Sequence, residues 1–387
     1  MGYIIMLLIY ITYSLADIKN ISNILVVIIS TILFFILYKK LRAKMFSRGS
    51  IIISMMGASI PISFRNIFGG EFSENPLTWF YILGAIYFVI TILNNLKKSE
   101  EITVNLIGIV ILLLFGLSII PLMISTNLNE GIKEYLTYTF FLLLLFIALI
   151  NKESLNETEY SSIIKFYIFG GLFASLGIIF QYIMFTFFFR TFFRIEFYGM
   201  TRKYFSFMFY DMSSATVYLA TVAFLILCLH KTNKAIKISL ALLIIVGMAL
   251  SSARAGLVSF FIVLFLYAIT KKGIHNKIIL IGITLIFMSM SLKLLDSVRG
   301  LDSSLSYLTY DAGRIKGYID GMEFFYRSPF FGSGYDLGYV MKQMGLVVPH
   351  FALITMLAQT GIIITSLFVI IIFWLYRLAK RKALYEL

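Results

Sequence analysis

Residues 102–124 read ITVNLIGIVILLLFGLSIIPLMI, a stretch without a single charged side chain. About 18 consecutive apolar residues are enough for a helix to span a bilayer. Comparable runs recur along the chain of 387 residues, of which 60% are hydrophobic and only 13% are charged. The mean hydropathy of +0.93 agrees with this pattern. The sequence therefore predicts an all-α integral membrane protein, organised as a single polytopic membrane domain over 1–387.

The apolar runs predict about twelve transmembrane helices. The first run has no basic stretch ahead of it and no small-residue cleavage site after it, so we expect a retained helix rather than a signal peptide. The predicted spans are 3–15, 21–38, 51–64, 77–93, 102–124, 136–150, 163–189, 212–229, 236–253, 255–270, 278–295 and 350–376.

The distribution of Lys and Arg predicts the orientation, because short cytoplasmic loops carry an excess of both. With the N-terminus inside, 19 of the 33 Lys and Arg residues fall on the inner side. Of the 14 on the outer side, 10 lie in two long loops, 190–211 and 293–349, and the short outer loops carry only 4. We therefore expect both termini in the cytoplasm and both long loops outside. The net charge of +14 is then mostly topogenic, and it does not indicate nucleic acid as a partner.

Several classes of site have no support in the sequence. The lone Cys228 lies in an apolar run and cannot form an intrachain disulfide. The three histidines are far apart, and neither an Asp-x-Asp pair nor a glycine-rich phosphate loop occurs. The sequence therefore predicts no metal site and no cofactor, and it argues against an enzyme that uses ATP or a soluble nucleotide-sugar donor.

The segment Asp296–Pro349 interrupts the succession of apolar runs with a polar sequence. Long connections are usually functional or disordered. This one contains aromatics, glycines and charges of both signs, so we expect a folded external loop, 296–349, with catalytic character. Within it, Arg314 and Lys316, and then Arg327 ahead of a Pro and Gly turn, suit an anion held against a rigid loop. A solvated loop with ordinary charges is the alternative.

Arg254 lies in the sequence SSARAG and is the only charge between Lys237 and Lys271. A continuous helix over that run would measure about 50 Å, which is too long for one crossing. The run is therefore expected to fold back near Arg254, where small residues allow close backbone approach. A charge at such a place is a candidate functional group, and a turn residue that only meets lipid headgroups is the alternative.

Two further groups stand on the predicted outer side. The external loop 190–211 holds Arg202 and Asp211 among many aromatic residues, a mixture that suits sugar stacking and phosphate pairing but also an amphipathic interfacial helix. His350 follows Pro349 at the start of the last predicted span. A histidine there can act as a general acid, a general base or a hydrogen-bond donor, although a structural role is the alternative.

The order of these elements resembles the O-antigen polymerase and O-antigen ligase superfamily. The resemblance covers roughly residues 200–370. It rests on the basic aromatic loop, SSARAG, the Gly313-Arg314 pair, the turn SPFFGSG at 328–334, and Pro349-His350 followed by LAQTG at 357–361. Ala255 stands where that family often has Gly, and Phe351 stands where it commonly has Asn. The second departure concerns the ligases most and favours a polymerase.

The resemblance implies glycosyl transfer on the outer face of the bacterial cytoplasmic membrane, with a polyprenyl diphosphate-linked glycan as donor and neither nucleotide nor metal. Membrane lipids, a flippase and a chain-length regulator are the other partners that it implies. Arg254 and Arg314 are the expected diphosphate ligands. His350 is expected to orient the diphosphate or to take the proton of the acceptor hydroxyl, and Asp211 or Asp311 is the alternative base. Supporting substrate contacts are expected from Arg202, Asp311, Lys316, Tyr318 and Arg327.

Two rival functions remain open at this point. A ligase would share the donor chemistry and differ in its acceptor, which would be a lipid or a protein. A lipid-linked sugar flippase or another transporter would need ionisable groups near the membrane midplane and usually shows repeated halves. The predicted spans are almost free of charge, which argues against a transporter.

Overall fold

The computed structural model divides the chain into two compact units, and each is described by itself. Unit 1 comprises Met1–Ile90 and Ser154–Ser304, and unit 2 comprises Thr91–Glu153 and Leu305–Leu387. The single-domain organisation stays a prediction. The residues that the structure describes are 1–19, 22–43, 46–63, 66–68, 77–98, 106–150, 156–191, 193, 195–198, 202–209, 212–228, 233–251, 253–270, 281–282, 285–286, 288–289, 293, 314–349 and 351–385.

Unit 1 is built mainly from apolar helices, with one short β-hairpin between the fifth and the sixth of its long helices. Its helices are α1 (Gly2–Lys19), α2 (Asn23–Arg42), α3 (Arg48–Ser59), a short 3-10 turn η1 (Ile60–Ile62), α4 (Trp79–Lys98), α8 (Glu157–Phe188), α9 (Met212–Cys228), α10 (Lys234–Leu250) and α11 (Arg254–Thr270). The end of α4 belongs to unit 2. The hairpin consists of β1 (Ile195–Tyr198) and β2 (Arg202–Phe205), which pair antiparallel with Ile195 opposite Phe205.

A buried carboxylate joins the N-termini of α3 and α8. Glu159 is 4% exposed, and its Oε2 accepts from the backbone N–H of Asn156 at 3.2 Å in a capping box. Its Oε1 accepts from the backbone N–H of Ser47 at 2.6 Å and from the Ser50 hydroxyl at 2.8 Å. One side chain thus caps the starts of two helices, and both starts lie at the same level.

The hairpin segment is anchored at the other end of α8. The backbone N–H of Phe207 donates to Gln181 Oε1 at 2.7 Å. The Phe207 ring packs against Gly177 so closely that a Cβ on Gly177 would lie 2.4 Å from the ring. Glu159 and Gln181 are separated by about 33 Å of helix at 1.5 Å per residue. The interfacial-helix interpretation of the 190–211 loop is therefore wrong over 195–198 and 202–205, where two strands pair antiparallel and lead into buried Phe205 and Phe207.

Unit 2 contains the remaining helices and a core built from their aliphatic faces. The helices are α5 (Leu106–Leu117), α6 (Ile119–Ile124), α7 (Leu128–Ile150), α12 (Arg314–Arg327), α13 (Leu337–Gln343) and α14 (Ala352–Tyr385). The buried core residues join α5, α7 and the second half of α14, and they are Ile107, Ile111, Leu114, Leu142, Ile364 and Ile371. The described part of the predicted external loop, 314–349, therefore contains two helices and is folded.

The chain has the long apolar helices of a multi-pass α-helical membrane protein. Among the described residues, five helices are long and apolar enough to cross a membrane: Asn23–Arg42, Leu106–Ile124, Leu128–Leu149, Glu157–Phe188 and Ala352–Leu378. Helices occupy eleven of the twelve predicted positions, and the remaining one, 278–295, lies mostly outside the described residues. The number of twelve crossings stays a prediction.

Candidate functional site

Three of the predicted arginines each begin a secondary-structure element. Arg254 is the first residue of α11, Arg314 is the first residue of α12, and Arg202 is the first residue of β2. The backbone of these residues is described, but their side chains are not. The predicted residues Asp211, Asp311 and His350 lie outside the described part of the chain.

The apolar run between Lys237 and Lys271 is interrupted where the sequence predicts it. Helix α10 ends at Leu250 and α11 begins at Arg254. The first turn of α11 then packs against α9, because the Gly256 N–H donates to the Thr216 hydroxyl at 3.2 Å. A Cβ on Gly256 would lie 2.1 Å from the Thr216 carbonyl oxygen, so only glycine permits this approach. The helix that follows Asp211 in sequence and the helix that begins with Arg254 are thus in contact at their first turns.

Helix α12 carries four of the predicted binding residues along its length. Lys316 is exposed in the first turn, and the half-buried Tyr318 packs edge-on against Phe351 with ring centroids 6.3 Å apart. Arg327, at the end of the helix, forms an ion pair of 2.6 Å with Glu323. At 1.5 Å per residue, Arg314 and Arg327 are about 20 Å apart along α12. A single phosphate therefore cannot contact both, and Arg314, Lys316 and Tyr318 form the group that shares one end.

Helix α14 is broken at Gly361, inside its apolar stretch. Gly361 has φ +72° and ψ 179°, which is not helical. The loop 328–334 packs against this break and supplies backbone partners. Ile362 N–H donates to the Pro329 carbonyl at 2.8 Å, Ser333 N–H donates to the Ala358 carbonyl at 2.8 Å, and Gly334 N–H donates to the Gln359 carbonyl at 3.1 Å. Loop 328–334 thus replaces hydrogen bonds that a continuous helix would make with itself.

Two glycines make this packing possible. A Cβ on Gly361 would lie 2.3 Å from the Phe330 carbonyl oxygen, and a Cβ on Gly332 would lie 2.3 Å from the Gln359 carbonyl carbon. Both glycines also have positive φ values, which side chains disfavour. The motifs SPFFGSG and LAQTG therefore pack against each other. Neither motif alone predicts this contact.

Residues 335 and 336 tie the same segment to the turn before α7. Asp336 is 2% exposed, and its Oδ2 accepts from the Thr126 hydroxyl and from the Asn127 N–H, both at 2.7 Å. Tyr335 N–H donates to the Ser125 hydroxyl at 3.0 Å. Asp336 Oδ1 has no hydrogen-bond partner among the described residues. Sequence reasoning missed Asp336, because its partner stands 210 positions away and no local pattern marks it.

The Tyr335 side chain points into an aromatic group on α7. Its ring lies 5.8 Å from the ring of Tyr135 and 6.0 Å from the ring of Tyr138, measured between centroids. Burial raises the pKa of the Tyr335 phenol, so the phenol stays protonated at neutral pH. The segment after loop 328–334 is therefore fixed by packing as well as by hydrogen bonds.

Within the described ranges, no three His, Cys, Asp or Glu side chains are grouped so that they could hold a metal ion. The chain matches no protein-family model, and neither a curated protein nor a solved structure shows a significant likeness to it.

Proposed function

We propose that this protein is a membrane glycosyltransferase that polymerises polyprenyl diphosphate-linked oligosaccharide repeat units into a surface polysaccharide of the O-antigen or capsule type. In this proposal the reaction takes place on the outer face of the bacterial cytoplasmic membrane, with both termini inside. The order of motifs along residues 200–370 supports it. The donor would be bound through its diphosphate, and the acceptor through its sugars.

One structural observation carries the proposal: Arg254 and Arg314 each occupy the first position of a helix. The N-terminus of a helix bears a partial positive charge, so a cation there is disfavoured by about 0.3–1 kcal/mol. Neither helix has an acidic residue in its first turn to offset this. An anion at these helix starts removes the penalty and receives both guanidinium and backbone N–H donors, as phosphates commonly do.

The chemistry then follows from charge. An acceptor hydroxyl attacks the anomeric carbon of the donor sugar while the bond from that carbon to the diphosphate oxygen breaks. In this proposal, negative charge grows on the departing polyprenyl diphosphate, and a guanidinium group, that of Arg254 or that of Arg314, stabilises it without a metal. The hydroxyl proton passes to a base, for which His350, Asp211 and Asp311 are the candidates. Lys316 and Tyr318 would contact the donor next to Arg314, whereas Arg202 and Arg327 would contact other parts of the substrates.

A transporter is the second candidate function, because the break at Gly361 is a feature that transporters use. Broken helices bind ions or substrates through backbone groups that the break leaves without helical partners. Here loop 328–334 satisfies backbone groups on both sides of the break, at Ala358, Gln359 and Ile362. Those groups are therefore occupied by protein, and the observation favours a structural role for the break over an ion site.

The test is a reaction with purified components. The protein in nanodiscs is incubated with lipid-linked repeat units, with and without a chelator, and the products are separated by length. Chains longer than one repeat, formed equally with chelator, support the proposal. The proposal would be refuted if no longer chains form with any of the lipid-linked units made by the cells from which the protein comes. In cells that lack the gene, a polymerase defect leaves single repeats on the carrier outside, a ligase defect leaves long chains on the carrier, and a flippase defect leaves single repeats inside.

A further inference from the structure

The segment 328–336 contacts three separate parts of unit 2. It follows directly after α12, and Ser333 donates from its hydroxyl to the Phe324 carbonyl at 3.3 Å. It fills the break in α14 through the backbone bonds at Pro329, Ser333 and Gly334. Through Asp336 it also holds the residues that precede α7. The segment 328–336 thus links α12 to α14 and to the turn before α7. It adds to the direct packing of α12 on α14, where Phe324 and Ala358 share one buried cluster.

The backbone of α14 is compatible with two states. A glycine inside a helix is only slightly less favourable than an alanine, so Gly361 can also be helical. If loop 328–334 leaves, the amide and carbonyl groups around Gly361 can pair with each other in a continuous helix. Exchanging one set of backbone hydrogen bonds for another changes the free energy little. The contacts that decide between the states are therefore the specific ones made by Asp336 and Tyr335.

We propose that residues 328–336 are a positioning segment for α12. When the segment is docked, Asp336 binds the turn before α7, and loop 328–334 packs against the break at Gly361. These two contacts help to fix the position of α12 and therefore of Arg314, Lys316 and Tyr318. When the segment is released, α14 becomes continuous, and α12 is held only by its direct packing, including that on α14 and on residues 347–349 and 351. The docking stands on the contacts alone. That α12 thereby presents the donor diphosphate to the acceptor rests on the proposed function.

The docking is tested by a distance measurement within unit 2. In a Cys228→Ala background, spin labels are placed at Ile319→Cys on α12 and Ile132→Cys on α7, both of which are exposed positions. Gly361→Ala is compared with Gly345→Ala. Gly345 has φ +68°, and no atom lies within 4 Å of the place that a Cβ would take, so it shares the positive φ of Gly361 without the contact. We expect one narrow distance distribution in the parent and in Gly345→Ala, and a shifted or broadened one in Gly361→Ala. An unchanged distribution in Gly361→Ala would overturn the docking.

The functional half is tested through Thr126, which donates to Asp336. Thr126→Val keeps the shape and removes the hydroxyl, whereas Thr126→Ser keeps the hydroxyl. Because misplacing a substrate-binding group by about 1 Å can cost about 10²-fold, we expect kcat/KM for the lipid-linked donor to fall 10- to 100-fold in Thr126→Val and to be restored in Thr126→Ser. A serine variant as poor as the valine variant would contradict a role for the hydrogen bond.

The two measurements separate the possible failures. If the labels move in Thr126→Val while polymer formation is unchanged, α12 does not hold the donor, and the functional half is refuted while the docking stands. If the parent protein makes no polymer, the proposed function fails, and the spin-label distances alone support or overturn the positioning segment.

Discussion

Helices α3 and α12 both begin with an arginine, but the chain completes the two starts differently. At α3, which begins with Arg48, the buried carboxylate of Glu159 arrives from α8 and accepts from Ser47 and Ser50. At α12, the first turn adds a second cation, Lys316, and holds no acidic residue. Opposite charge at a helix start is stabilising and like charge is not. The first helix start therefore joins two helices of the protein, whereas the first turn of α12 has two cations and no acidic residue of its own, which suits an anion.

The largest expected effect separates these two kinds of helix start by charge-conserving substitutions. Lysine keeps the charge but cannot form the planar paired hydrogen bonds of arginine. We expect Arg314→Lys and Arg254→Lys each to lower the rate of polymer formation by about 10²–10³, the usual cost of losing one such donor. Arg48→Lys, at the start that Glu159 completes, should leave the rate unchanged.

Protein levels in the membrane serve as the control for this comparison, and all three variants should be present in normal amounts. Full activity in Arg254→Lys would mean that Arg254 only occupies a turn and contacts lipid headgroups. A loss in Arg48→Lys as large as in Arg314→Lys would mean that the two helix starts do not differ in function.

The apolar runs predict helix positions well because a backbone in lipid must satisfy its own hydrogen bonds. Eleven of the predicted spans coincide with helices, although α7 begins at Leu128 rather than at 136, because its first turns are polar yet helical. The hairpin at 195–205 was not predicted. Its strands are short, and the chain that follows them is anchored at Phe207 by contacts with Gln181 and Gly177 on a helix that precedes the hairpin.

The candidate site was predicted in part as a set of residues, but not as an arrangement. Glycines in SPFFGSG and LAQTG indicate turns, but nothing in either motif indicates that the two pack together around Gly361. The sequence does not predict the role of Asp336 for the same reason, because its side chain accepts hydrogen bonds from Thr126 and Asn127, which are far away in sequence. Contacts between residues far apart in sequence depend on tertiary packing, which local patterns do not encode.

A smaller effect is expected at the joint between α3 and α8. Glu159→Gln keeps an oxygen acceptor but loses the charge, and hydrogen bonds to charged groups contribute about 1 kcal/mol more than neutral ones. Because Glu159 accepts several such hydrogen bonds, we expect the free energy of unfolding to fall by about 1–2 kcal/mol. Denaturant titration in detergent measures this change. Glu157→Gln, an exposed neighbour in the first turn of α8, is the matched control and should change little. If both variants lowered the free energy of unfolding equally, negative charge at the start of α8, and not the cap shared with α3, would be the source of the stability.

The smallest effect is expected at the other end of α12, where Arg327 closes the helix. A cation at a helix C-terminus is favoured by the dipole, and Arg327 also has its own carboxylate in Glu323, with the two side chains 59% and 60% exposed. Such exposed pairs contribute about 0.3–0.5 kcal/mol and weaken with salt. We therefore expect Glu323→Gln to lower stability by no more than that, and Arg327→Lys to slow polymer formation far less than Arg314→Lys. If Glu323→Gln instead lowered KM for the lipid-linked donor, it would show that freeing Arg327 creates a phosphate ligand, and the contrast between the two ends of α12 would be lost.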